Sequence, residues 1–261
     1  MADLSIAVLL SAGRHPVTGR PRAADSDARA LRLALALAQK GAVLTVLHAG
    51  QHDEPALGDY LGMGLDTLTV LGPLTQADDA VPVLADALRT ASPDIVLCGT
   101  TAEHGEGSGM LPYLIAQDLC MPCIANVTDL VCEENGVTVL AAEPAGRRRR
   151  FRLTASAVLA VGAAASAPLQ VAWGRTRRGK ILVHRASASI DAARASWTLR
   201  PFRIRPARIF AGPGSMGGKR IVEGVPPFEA AAQIRAFLQQ AGVVRAGNPT
   251  STIHVPPERA G

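Results

Sequence analysis

The chain has 261 residues, 48% of them hydrophobic and 19% charged, which excludes a disordered chain and provides a core for one large domain or a domain with an extension. Its net charge of +5 comes with only 3% aromatic residues, so no nucleic acid is expected: the basic surplus lacks a base-stacking platform and better fits an acidic protein partner. No apolar run reaches the roughly 20 residues of a bilayer span, and Met1-Ala2-Asp3 leads into an apolar run with no basic leader, so no membrane insertion and a cytoplasmic location are expected.

Leu4 to Leu10 reads as a first strand buried on both faces, followed by a Gly-, Pro- and Arg-rich loop from Ser11 to Ala24. Asp25 or Ser26 is expected to cap a helix whose Leu31, Leu35 and Ala38 share a face and which Gly41 closes. Val43–Leu47 is a second strand ending in His48-Ala49-Gly50. Pro55–Gly64 is a helix, Thr67–Leu71 a strand and Val81–Ala91 a helix. Strand and helix alternate, which implies a Rossmann-like α/β fold: a parallel sheet with helices on both faces. Right-handed crossovers would bring Ser11, His48 and the loop after the fourth such strand to one edge, where open α/β sheets bind ligands.

That fourth strand opens the stretch on which the chain turns. Asp94-Ile-Val-Leu-Cys-Gly99 is a short apolar run, followed by Thr100-Thr101-Ala102-Glu103-His104-Gly105-Glu106-Gly107-Ser108-Gly109-Met110 and a helical run to Leu119. Strand, glycine loop and helix start place free backbone N–H groups and the positive end of a helix dipole at one point, which suits a phosphate or another anion. Gly105, Gly107 and Gly109 would let the backbone approach it, and Ser108 adds a hydroxyl. No Lys-Ser/Thr pair follows, so this is not a Walker A loop, and the spacing is not the dinucleotide fingerprint. An ordinary βα turn with glycines for geometry alone is the equal alternative.

Beyond Pro122 the pattern changes. Ile124–Leu130, Val137–Ala142 and Phe151–Val161 read as strands joined by short turns, hence as antiparallel additions. The four cysteines are expected as free thiols. Cys120 and Cys123 have redox or half-zinc spacing, but without a second such pair a packing role is expected and no metal. From Ala163 periodicity fades into a basic segment with Arg175, Arg177, Arg178 and Lys180. Residues 187–245 then read as an extended arm ending in an amphipathic helix over Pro227–Ala241, and 246–261 as a disordered tail. Residues 1–186 would form the nucleotide-binding domain. The arm's helix cannot bury its apolar face alone, so it is expected to dock on another chain.

Several stretches in order resemble the β subunits of electron transfer flavoproteins. Val46-Leu-His-Ala-Gly50 with Tyr60-Leu-Gly-Met-Gly-Leu-Asp66 is similar to the family's Val-Ser-x-Gly-Pro and Ala-Leu-Ala-Met-Gly-Ala-Asp. Asp94-Ile-Val-Leu-Cys-Gly99, Ala102 and Ser108-Gly-Met110 resemble Asp-Leu-Val-Leu-x-Gly-x-x-Ala followed by Gln-Thr-Gly. The likeness spans about residues 4 to 244, and the Gly-Glu-Gly-Ser-Gly-Met-Leu-Pro run looks most like the branch accompanying demethylating dehydrogenases of methylated amines. It departs in lacking the Asn-Pro-Phe helix entry, replaced by Ala23-Ala24-Asp25-Ser26, and the Asn-Glu-Pro-Arg-Tyr recognition signature.

The resemblance implies an electron carrier subunit with no catalytic activity of its own, forming a heterodimer with an α subunit that mainly holds FAD. It implies AMP bound structurally in this chain, by Leu9, Asp25, Ser26, His48 and the run Ala102, Glu103, His104, Gly105, Glu106, Gly107, Ser108, Gly109 and Met110. It also implies a flavin-dependent dehydrogenase as electron donor, docking on the loop Ala165–Gly174 with Leu169 as anchor, beside Trp173 and the cations Arg175, Arg177, Arg178 and Lys180. The alternative is an adenine-nucleotide-binding enzyme or sensor of the adenine nucleotide α-hydrolase-like class. That chemistry needs a phosphate loop after the first strand, where Ser11-Ala-Gly-Arg-His15 stands without the Ser-Gly-Gly-x-Asp-Ser signature.

Overall fold

The computed structural model describes residues 4–75, 78–104, 107–133, 136–186 and 224–243. Two compact units are present, Met1–Leu199 and Arg200–Gly261. The first holds β1 (Ser5–Leu9), β2 (Ala12–Arg14), β3 (Pro21–Ala23), α1 (Asp25–Ala38), β4 (Val43–Ala49), α2 (Leu57–Gly62), β5 (Thr67–Gly72), α3 (Ala80–Ala91), β6 (Ile95–Gly99) and α4 (Leu111–Asp118). It continues with β7 (Cys123–Glu133), β8 (Gly136–Ala142), β9 (Arg148–Leu153), β10 (Ala157–Val161), α5 (Trp173–Thr176) and β11 (Lys180–Arg185). In the second unit the described element is α6, Pro227–Gln240. The remainder of the expected arm and the expected tail lie outside the described residues.

A nine-stranded sheet runs β11-β5-β4-β1-β6-β10-β7-β8-β9. Pairings from β11 through β7 are parallel, and β7-β8-β9 is an antiparallel meander. Alternate residues of the central strands feed opposite faces. Ile6, Val8, Val46, Ile95, Leu97 and Leu159 pack with α1 and α2, through residues such as Leu31 and Leu57. Ala7, Leu9, Leu47, Val96, Cys98 and Val158 pack with α3 and α4, through Leu84, Leu88 and Ile115. The expected parallel sheet with helices on both faces is therefore what forms.

Three local expectations change. The loop Ser11–Ala24 contains a short antiparallel hairpin, β2 with β3. Phe151–Val161 is two strands instead of one: Arg148–Leu153 pairs antiparallel with β8, whereas Ala157–Val161 inserts in parallel between β6 and β7. The physical reason is legible afterwards, since Ala-Val-Leu-Ala-Val is wholly buried, as an interior parallel strand requires, and the arginine-bearing strand suits an edge. Lys180–Arg185, in the stretch without periodicity, is a strand on the far edge beside β5; all six of its residues are exposed, so it carries no alternation to read.

Candidate functional site

Chain order places the switch point between β1 and β6. From β1 the chain runs to β4 and β5 on one side; β6 lies on the other. A cleft of about 750 Å³ opens there, lined by the segment after β1 (Leu9 to Ala12), that after β4 (His48 to Gln51), that after β6 (Gly99 to Ala102) and the entry to α4 (Ser108 to Pro112). Thr75, Asp78 and Asp79, ahead of α3, close one side.

The floor is held by Asp27, which is 5% exposed. Its Oδ2 accepts from the Ser11 N–H at 2.8 Å and from the Ser11 hydroxyl at 2.5 Å, and its Oδ1 accepts from the Gly99 N–H at 2.7 Å. One carboxylate thus ties the end of β1 to the end of β6. Gly99 has no room for a side chain: a Cβ there would stand 2.5 Å from Asp27 Oδ1 and 2.7 Å from Ser26 Cβ. Burial pushes the Asp27 pKa up to about 6, while the bonds from Ser11 and Gly99 pull it down.

Tyr60, fully buried, braces the same floor from α2. Its hydroxyl donates to the Ser11 carbonyl at 2.8 Å and accepts from the Ala24 N–H at 2.9 Å. Tyr60→Phe strands both backbone groups in the interior, so it is expected to cost about 2 kcal/mol, read as a shift in the urea midpoint at unchanged slope.

His48 is buried with Nδ1 2.8 Å from the Leu10 carbonyl, so Nδ1 carries the proton and donates. Burial lowers its pKa, leaving a neutral ring whose Nε2 is an acceptor beside Gly50. Arg14 makes a two-pronged pair with Glu54, at 2.9 and 2.8 Å, joining the β2 hairpin to the loop before α2. The chief effect on Glu54 is this hydrogen bond, which lowers its pKa. Arg14 is the cleft-lining arginine, and both its terminal nitrogens face Glu54. The Ser11 hydroxyl already donates to Asp27, so an anion in the cleft would meet the hydroxyls of Thr100, Thr101 and Ser108.

The expected site residues divide. Leu9, His48, Ala102, His104, Ser108, Gly109 and Met110 line the cleft. Asp25 instead pairs with Arg29 at 2.7 Å, and Ser26 packs behind Gly99. Neither caps α1, whose N-cap is Ala24 with no side-chain bond. Glu103 supplies what a local cap would: it accepts from the Asp25 N–H at 2.8 Å and pairs with Arg22 at 2.9 Å. Gly107 is not among the lining residues, and Gly105 and Glu106 lie outside the described residues. Gly109 is held at φ +72°, where a Cβ would meet Thr101 Cγ2 at 2.9 Å and the Thr100 carbonyl at 3.0 Å.

Asp27 was not among the expected site residues. The sequence does signal it, as an acid in line with Leu31 and Ala34 on the buried face of α1. Among the described residues no cluster of three or more His, Cys, Asp or Glu could hold a metal, and no helix is long and apolar enough to cross a membrane.

The second expected region does not line the cleft. Arg29 and Arg32 of α1 donate to the Ala165 and Ala167 carbonyls, the latter at 2.6 Å, and pin the loop after β10. Leu169 is half-buried against the core on the α1 side. Ala172 N–H donates to the Gly62 carbonyl at 2.9 Å and Thr176 Oγ1 to the Gly58 carbonyl at 3.1 Å, seating α5 on α2. Trp173 is left 72% exposed with the Arg177 guanidinium 4.9 Å from its ring centre; Arg175, Arg178 and Lys180 are exposed beside it.

The electron transfer flavoprotein domain model matches residues 19–189. The electron transfer flavoprotein subunit beta of Chromohalobacter salexigens is 37% identical over 260 residues, covering 93% of this chain and 96% of that protein.

Proposed function

We propose, from the premise that this chain belongs to the electron transfer flavoprotein β-subunit family, that it is one half of a heterodimeric electron carrier and keeps AMP in its own cleft as a structural ligand. The observation that carries the AMP reading is the switch-point cleft itself, lined by hydroxyl-bearing residues and a neutral His48, with the lining arginine facing Glu54. Leu9, Leu10 and Ala12 would face the base and ribose, and the loop from Ala102 to Met110 the phosphate. FAD, held mainly by the α subunit, would supply the electron-carrying chemistry, and this chain would supply position and electrostatics. An adenine-nucleotide-consuming enzyme would need a cation committed to the phosphates, which Arg14 in its pair with Glu54 does not offer.

The donor, a flavin-dependent dehydrogenase, docks on the face of α5. Trp173 supplies the apolar anchor, and Arg175, Arg177, Arg178 and Lys180 steer approach. Leu169, half-buried, holds this loop from beneath. Co-expression with the α subunit should yield a yellow heterodimer. In it Trp173→Ala should leave the flavin spectrum and melting temperature unchanged and slow reduction by the donor about tenfold, a loss of roughly 1.4 kcal/mol in transition-state contact. Leu169→Ala should instead lower stability, by about 2 kcal/mol. A Trp173→Ala heterodimer reduced at the wild-type rate would remove α5 from the docking face.

A further inference from the structure

We propose that His48 selects the base of the bound nucleotide: its Nε2 accepts a hydrogen bond from the exocyclic amine of adenine, so the cleft takes 6-amino purine nucleotides and rejects 6-oxo ones. This rests on reading the cleft as a nucleotide site.

The hydrogen-bonding role of the ring is fixed by its backbone partner. Nδ1 lies 2.8 Å from the Leu10 carbonyl, which can only accept, so Nδ1 carries the proton and Nε2 is left as a bare acceptor. Burial lowers the ring's pKa, which keeps it in this form at neutral pH. His48 is 5% exposed, yet its Nε2 has no hydrogen-bond partner among the described residues. Among them the enclosed side-chain atom without a partner is Arg22 Nε, so Nε2 of His48 is not sealed in and meets open space. That space belongs to the cleft: His48 and Gly50 both line it, and a Cβ on Gly50 would stand 2.5 Å from Nε2. Such an acceptor loses its water when a ligand enters, and it weakens binding unless the ligand brings a donor.

The place of His48 in the sheet identifies which part of the nucleotide brings that donor. β4 and β6 flank β1, so their ends stand about 10 Å apart, two strand spacings. With the phosphate at the loop between β6 and α4, the base falls toward the end of β4. The other polar side chains there are engaged: Gln51 Nε2 donates to the Leu74 carbonyl at 2.8 Å, and Glu54 is paired with Arg14. The free ring nitrogens of adenine are all acceptors, and its polar donors are the two N–H bonds of the amine. An acceptor that meets this base can therefore bond it only there. Hypoxanthine and guanine carry a carbonyl oxygen at the same carbon, which would face Nε2 lone pair to lone pair. To offer their ring N–H instead, the base must shift within the cleft.

The test is equilibrium dialysis of the αβ heterodimer against labelled AMP and, separately, labelled inosine 5′-monophosphate (IMP), which exchanges the amine for a carbonyl. Wild type should bind AMP about thirtyfold more tightly than IMP. His48→Gln, whose amide can turn either a donor or an acceptor to the base, should reduce that preference to about threefold. Gly50→Ala, whose methyl crowds Nε2 and shuts it off from the cleft, should reduce it likewise, mainly by weakening AMP, and serves if His48→Gln does not fold. IMP bound by wild type as tightly as AMP would overturn the inference and leave the nucleotide reading standing. A preference that persists unchanged in both variants would do the same. A heterodimer that binds neither nucleotide would overturn the nucleotide reading, and this inference with it.

Discussion

Gly99→Ala should destabilise the protein by about 4 kcal/mol and lower its melting temperature by roughly 8–16 °C. A single methyl has this effect because of where it lands. The new Cβ would lie 2.5 Å from Asp27 Oδ1, 2.7 Å from Ser26 Cβ and 3.1 Å from the Asp27 backbone nitrogen. The last two belong to the first turn of α1, which no rotamer change can move aside, so helix and strand must separate. Overpacking of this kind costs about 1–3 kcal/mol. Separation also lengthens the Gly99 N–H bond to Asp27 and leaves a buried carboxylate short of a donor, for about 1–3 kcal/mol more. Gly174→Ala is the control, since nothing lies within 4 Å of its Cβ position. Calorimetry on the two variants checks this; equal melting temperatures would show that α1 and β6 are not in contact as described.

Gly109→Val should abolish AMP retention, weakening binding by about a hundredfold, or roughly 2.7 kcal/mol, with a much smaller effect on stability. At φ +72° a β-branched side chain is strained, and its Cβ would also strike Thr101 Cγ2 and the Thr100 carbonyl, at 2.9 and 3.0 Å. Relief comes by moving the loop that leads into α4, and with it the N–H groups that would meet the phosphate. Gly107 separates geometry from composition: a Cβ there meets only the Ala102 carbonyl, at 3.4 Å, and φ is not positive. Gly107→Ala should therefore keep AMP. Equilibrium dialysis of the three proteins decides the matter, and Gly109→Val binding like wild type would remove this loop from the site.

Much of this was legible because it is written in local patterns. The apolar runs of β1, β4 and β6 and the amphipathic faces of α1 and α3 follow from the spacing of apolar residues, and alternation of strand and helix fixes a parallel sheet and hence a switch-point cleft. His48 was visible because it ends a strand. What escaped was set by distant partners. The α1 N-terminus is satisfied by Glu103, 78 positions along the chain from Asp25, so the local candidates Asp25 and Ser26 misled. β10 joins the sheet by inserting between β6 and β7, a choice made by tertiary burial and not by its turns. β11 shows no alternation because both its faces are exposed. Asp27 escaped because its donors, Ser11 and Gly99, stand 16 and 72 positions away along the chain, although an acid on a buried helix face asks for such donors.

The most direct measurement is the cofactor content of the purified αβ heterodimer. After denaturation, released FAD and AMP are separated and counted against protein. One FAD and one AMP are expected per heterodimer, with AMP alone lost from Gly109→Val. A heterodimer that releases FAD but no adenine mononucleotide, or that holds a second FAD in place of AMP, would contradict AMP as the ligand of this cleft.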